Sequence, residues 1–175
     1  MAQAAGNCSG GRGRYCVCME SGEKLEEALA EAARLAAGAR DRWWIIGSAA
    51  AFLHGAAGSA VRDIDLLMSR RDAATLLRSL GIALAPGTAD PLFRSEVFGC
   101  FPAFGYAVEV MGGFSVRGPG GWEPVRLHGR EEVAVGRHIL HVPPRAELIA
   151  LLRRFGREKD LERAVTLEAF DAPEA

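Results

Sequence analysis

WWIIGSAAAFLHGAAGSAVRDIDLLMS, residues 43–69, decides the fold of this chain. It divides into strand, helix and strand. Residues 43–46 are a short, bulky apolar run that ends at Gly47-Ser48. Ser48 stands where a side chain caps a helix over residues 49–54, and Gly55 ends that helix. Residues 61–68 form a second strand, with Asp63 and Asp65 flanking Ile64. Side chains at i and i+2 of a strand share a face, so both carboxylates point one way, roughly 7 Å apart, while Ile64 points into the core. Two like charges on one face are stable only in water or beside something positive. A hard divalent cation such as magnesium is the obvious partner, because it takes carboxylate oxygens and leaves the rest of its shell to water and phosphate. A bare Asp-x-Asp is also common by chance, as a solvent-facing strand end.

The flanks narrow the choice. Gly47-Ser48 at a strand end, a small-residue helix, and Arg62-Asp63-Ile64-Asp65-Leu66 on the next strand resemble the nucleotidyltransferase superfamily with a DNA polymerase beta type of catalytic core. The spacing is closer to the branch of abortive-infection toxins and lincosamide-type resistance enzymes than to the shortest members. The resemblance implies an α+β fold: a mixed, mainly antiparallel sheet flanked by helices, with C-terminal helices packed on the core. It implies that Gly47 and Ser48 meet a nucleoside triphosphate and that Asp63 and Asp65 hold two magnesium ions. Physics agrees on the first point, since free N–H groups at a helix start favour phosphate.

Upstream, residues 22–38 carry strong helix formers and an apolar stripe through Leu25, Leu29, Ala32 or Ala33 and Leu35, which predicts a helix covering one face of the sheet. Residues 1–21 read as a leader that is flexible or loosely packed. Cys8, Cys16 and Cys18 lie in it, but Cys-x7-Cys-x-Cys with the fourth cysteine at Cys100 lacks the paired spacing of a zinc site. Downstream, residues 70–80 form an amphipathic helix with Ala74, Leu77 and Leu80 inward, ended by Gly81, and residues 82–90 are a turn-rich connection.

Residues 92–99 and 106–111 are strand-like, joined through 100–105, and so short a link makes the pair an antiparallel hairpin. Glu109 sits in the second strand between Val108 and Val110. Alternation alone leaves it a solvent-facing residue. The resemblance gives it a role as the third carboxylate, beside the Asp-x-Asp strand, ligating the metal and easing loss of the acceptor's proton. Residues 112–121, with five glycines and a proline, read as a loop beside the cleft. Residues 122–127 and 133–142 read as short strands or edge segments, turning at His128-Gly129-Arg130. His128, His138 and His141 have no metal spacing.

Pro143-Pro144 opens a helical tail, so the chain divides into leader 1–21, nucleotidyltransferase core 22–142 and C-terminal helical segment 143–175. In the tail, Arg157-Glu158-Lys159-Asp160-Leu161 matches the terminal motif of the resembled branch. Leu152 stands where that branch carries a base, with Arg153 and Arg154 next to it. The resemblance makes Arg62, Arg153, Arg157 and Lys159 the positive groups facing triphosphate. A formal net charge of −1 means that any such countercharge is local.

No apolar run reaches the ~18 residues of a membrane span, and the first residues lack the apolar core of a secretory signal. Both point to a cytoplasmic protein with no membrane partner. The function implied is transfer of a nucleoside monophosphate from an NTP, such as ATP, to a hydroxyl of a tRNA, a protein or a small molecule, with release of pyrophosphate. The alternative is a non-catalytic nucleotide-binding or antitoxin-like interaction protein on the same fold, favoured by Leu152 and by Glu109 in place of the more usual Asp.

Overall fold

The computed structural model describes residues 12–56 and 60–169, with side chains from residue 22 onward. Helix α1 runs Arg12–Ala36, and strand β1 (Trp44–Ile46), helix α2 (Gly47–Leu53), strand β2 (Asp63–Met68) and helix α3 (Arg70–Ser79) follow. Then come β3 (Ala85–Gly87), β4 (Phe93–Ala103), β5 (Tyr106–Gly112), β6 (Ser115–Gly118) and β7 (Gly121–Pro124). The hairpin β8 (Glu131–Val135) and β9 (His138–Val142) precedes helices α4 (Arg145–Phe155) and α5 (Glu158–Ala169).

The main sheet has the order β1-β2-β5-β4-β6-β7, with β3 paired to β4 at one side. Among the described residues only β2 and β5 pair in parallel, which a crossover through α3 and the β4 hairpin permits; every other pair there is antiparallel. This is the α+β architecture expected, a mostly antiparallel sheet flanked by helices. Ile64, Leu66, Val108 and Val110 are fully buried on one face, each such side chain contributing about 1.5–3 kcal/mol. Helix α3 lies on that face. Gly99 and Gly112 let it come close, because a Cβ at either would strike Leu77 or Ala73 of α3.

Several boundaries differ from expectation. Helix α1 begins at Arg12, so residues 12–21 of the leader are helical and 1–11 lie outside the described residues. The side chains of Cys8, Cys16 and Cys18 lie outside them as well. On α3 the inward residues are Ala73, Ala74, Leu76 and Leu77, and Leu80 is exposed. The hairpin of β4 and β5 is longer than its apolar run suggests, continuing to a two-residue turn at Phe104 and Gly105, both with positive φ. Pro102 hides that continuation, because proline inside a run reads as a break in a strand. The glycine-rich stretch after β5 is a strand pair, β6 with β7, since Pro119 and Gly120 supply the turn while Ser115 and Val116 are buried. Strands β8 and β9 form a hairpin of their own. No helix among the described residues is long and apolar enough to cross a membrane.

Helices α4 and α5 pack on each other and on α2. Gly156, in the left-handed region at φ 72°, ends α4 and lets the chain reverse into α5. Phe93 of β4, Phe114 and Phe155 of α4 make a three-ring cluster with centroids 4.9–6.0 Å apart. That cluster fixes the two helices against the open face of the sheet.

Candidate active site

Strand alternation and register place the acids. Asp65 pairs with Glu109 and Ile64 with Val108 across β2 and β5. Since Ile64 and Val108 point into the core, Asp63, Asp65 and Glu109 leave the sheet on the opposite face. All three line one cleft of about 340 Å³, together with Gly47, Ser48, Arg62, Arg157 and Lys159. The cleft floor is apolar, made by Phe93, Phe98, Met111, Phe114 and Phe155.

Gly47 is the first residue of α2 and has φ +65°, a conformation costly to any residue with a Cβ. A Cβ there would also overlap Asp65 Oδ2. The glycine is therefore required twice, once by the backbone and once by the carboxylate packed on it. Ser48 does not cap the helix: Ile46 occupies the cap position with no side-chain bond, and Ser48 is within the first turn. Its hydroxyl instead donates to Asp63 Oδ1 at 3.4 Å, a long contact. The helix starts early because Gly47 turns the chain directly out of β1.

The electrostatics of the acids are unbalanced. Burial, then the charges of Asp63 and Glu109, push the Asp65 carboxyl up to about 7, against the weaker opposing pull of Arg157 and Lys159. Burial, then Asp63, likewise raise Glu109, with Lys159 opposing. The Cys100 thiol, opposite Glu109 on β4, is raised by burial and by the same two carboxylates. Among the described residues, no three His, Cys, Asp or Glu side chains are close enough to hold a metal ion as they stand. Three like charges repel one another, and Asp65 is folded back on Gly47. The donor chemistry fits magnesium: every donor is a carboxylate oxygen, and a hard cation would reverse the upward shift of Asp65.

The positive side of the cleft comes from the start of α5. Arg157 lies 4.5 Å above the Phe93 ring and donates to Asp160 from Nε at 2.6 Å and from Nη2 at 3.2 Å. Arg163 donates to the same carboxylate at 3.3 Å. Asp160 is fully buried and holds both guanidinium groups at the cleft. Lys159 is exposed and lines the cleft beside them. Arg153, expected here, is elsewhere: it pairs with Glu168 at 2.7 Å on the outer side of α4 and α5. Arg154 binds Glu123 and the Glu123 carbonyl. Leu152 is fully buried, so the helix turn that would carry a base faces the core. Arg94, Ser95, Arg163 and the phenylalanines were invisible as site residues in the sequence, because they come together only through the packing of α4 and α5 on β4.

No family model matches the chain, and no curated protein matches its sequence. Among solved structures it resembles a protein of Thermotoga maritima provisionally described as a nucleotidyltransferase, with TM-score 0.57 and 23% identity over 91% of this chain and 93% of that one. More distant likenesses are an antigenic nucleotidyltransferase-like protein of Paracoccidioides brasiliensis, with TM-score 0.47 and 16% identity over 87% and 78% of the chains, and the antibiotic-resistance factor ANT(2'')-Ia. The latter has TM-score 0.48 and 13% identity over 88% and 86% of the chains. At those scores the last two carry no weight. The first likeness shows a shared fold, a mostly antiparallel sheet flanked by helices.

Proposed function

We propose that this protein transfers a nucleoside monophosphate from an NTP to a hydroxyl acceptor and releases pyrophosphate. The observation that carries the reading is one cleft with two walls of opposite sign. Asp63, Asp65 and Glu109 form one, and Arg157, Lys159 and Arg163 the other. A triphosphate bears about four negative charges and needs guanidinium or ammonium partners. Arg157, Lys159 and Arg62 supply them, and Gly47 and Ser48 border the phosphates.

Asp63, Asp65 and Glu109 would hold magnesium, two ions in the resembled enzymes, whose bound chemistry is neutralisation of the charge that develops on the phosphoryl oxygens. The chain's own share is position. The acceptor oxygen bonds to the α-phosphorus as the bond to the β-phosphate oxygen breaks, pyrophosphate leaves with the electron pair, and the Glu109 carboxylate is at hand for the acceptor's proton. The apolar floor excludes water from the acceptor's place and so favours transfer over hydrolysis.

Calorimetric titration with each NTP in the presence of magnesium, followed by a pyrophosphate-release assay with candidate acceptors, tests the reading. Binding with release supports it. Binding without release for any acceptor assigns the protein to the non-catalytic nucleotide-binding class.

A further inference from the structure

At the other end of β1 the surface holds a second concave site. Trp43 lies about 10 Å along the strand from Ile46, and the two cavities share no lining residue. Arg40, Arg42, Arg130 and Arg137 converge there with His138 and His141 around a groove of about 560 Å³. All four arginines are exposed. Among the described residues Asp41 is the one carboxylate in the lining, and Arg71 from α3 already holds it at 2.9 Å. The Arg42 guanidinium donates to the His128 carbonyl at 3.0 Å, a neutral acceptor that leaves its charge uncompensated.

The groove is built rather than accidental. Buried Asp72 accepts from the backbone N–H groups of Arg40 (3.0 Å) and Asp41 (2.7 Å), which pins the loop that presents Arg40 and Arg42. Arg137 is at the tight turn of the β8–β9 hairpin, after Gly136 with φ 56°. His141 stacks edge-on against Trp43 at 4.7 Å, and its buried Nδ1 has no hydrogen-bond partner among the described residues. Burial, then Arg130, hold that imidazole below the usual histidine range, while Glu132 opposes them. Charges also reach the groove from α1, where Glu31 acts on His138 but is itself tied to Arg34.

We propose that this groove binds the phosphodiester backbone of a nucleic acid strand. Four guanidinium groups with no carboxylate partner among the described residues exceed what one phosphate requires, and an open groove suits a chain of phosphates better than a small anion. Trp43 is buried and offers no stacking face, so the binding reads phosphates and not bases. The site is independent of transfer chemistry in the cleft.

The test is fluorescence anisotropy of a labelled oligouridylate with the full chain, in EDTA, across a salt series. Arg130→Gln/Arg137→Gln should weaken binding at least about tenfold near 0.1 M salt and reduce the salt slope by about 1.4. Arg40→Gln alone should lower it less, in the same direction, and circular dichroism should show all variants folded. Arg157→Gln, in the cleft, should leave the affinity unchanged. Undiminished binding by the groove variants, or a loss confined to Arg157→Gln, overturns the proposal. Equal affinity for polyglutamate of the same length overturns it too. So does displacement by inorganic triphosphate at ionic strengths where sodium chloride has no effect, which would assign the groove to a small phosphate.

Discussion

Asp65 and Glu109 are register partners on adjacent parallel strands, so their carboxylates leave the sheet on the same side, and Asp63 joins them from one pleat away. Without a cation these groups repel. Asp63→Asn and Asp65→Asn should therefore leave the metal-free protein folded and equally stable, or more stable by on the order of 1 kcal/mol, in urea denaturation. Magnesium should raise the melting temperature of the wild-type protein and lose that effect in both variants. Pyrophosphate release should fall at least about 100-fold. Undiminished turnover at saturating magnesium would remove these residues from the mechanism.

Gly47 is the residue against which Asp65 packs. Gly47→Ala should destabilise the fold by about 1–3 kcal/mol, through the positive φ and through overlap with the carboxylate. In the background of Asp65→Ala the overlap is gone but the φ remains. A double-mutant cycle in urea should then recover part of the loss and not all of it.

Asp160 ties Arg157 and Arg163 to the cleft from a fully buried position. Asp160→Asn removes their countercharge and should cost roughly 3 kcal/mol in chemical denaturation, the usual loss when one partner of a buried ion pair is removed. NTP affinity measured by calorimetry should fall as well, because Arg157 loses the charged partner that orients it and keeps only the Phe93 and Phe155 rings. Arg153→Gln is the control. It pairs with Glu168 away from the cleft and should leave NTP affinity unchanged.

Asp72 gives a pH signature. Burial alone would raise its carboxyl, but the Asp41 N–H, the Arg71 guanidinium and the Arg40 N–H outweigh burial and hold it below the ordinary aspartate range. A folded-state value below the unfolded one means that the stabilisation is complete above about pH 4 and is lost as pH falls through the folded value. The unfolding free energy of the wild type should therefore drop steeply below pH 3.8. Asp72→Asn should start about 1–3 kcal/mol lower at pH 7 and show a shallower acid decline. Parallel curves would exclude Asp72 as a source of acid sensitivity.

The turn of the β4–β5 hairpin has φ 50° at Phe104 and 87° at Gly105. Asparagine is the favoured residue at the first position of such a turn. Phe104→Asn should stabilise the protein by about 0.5–1 kcal/mol, read as a rise in thermal midpoint.

The strand, helix and strand of residues 43–69 were legible from local chemistry. Bulky apolar runs, a helix between glycines, and period-two alternation around Ile64 are short-range signals that need no partner. The pairing of β4 with β5 followed from a link too short for a crossover, and alternation in β5 put Glu109 opposite the face of Val108 and Val110. Local reasoning failed where packing overrode it. Ser48 lost its capping role because the helix starts two residues early, at Gly47, where only glycine fits against Asp65. The loop expected after β5 became a strand pair because Ser115 and Val116 found partners in Arg94 and Phe93 at the start of β4, a long-range pairing with no local signal. Arg153 and Arg157 look alike in sequence, both basic residues near a helix end. The turn at Gly156 sends one outward to Glu168 and brings the other over Phe93 into the cleft. Which arginines gather around a site depends on the path of the backbone between helices, and single-residue chemistry carries no information about that path. The basic groove beside Trp43 has the same origin: its four arginines come from two separate stretches of chain, and only the docking of the β8–β9 hairpin against β1 and α1 brings them together.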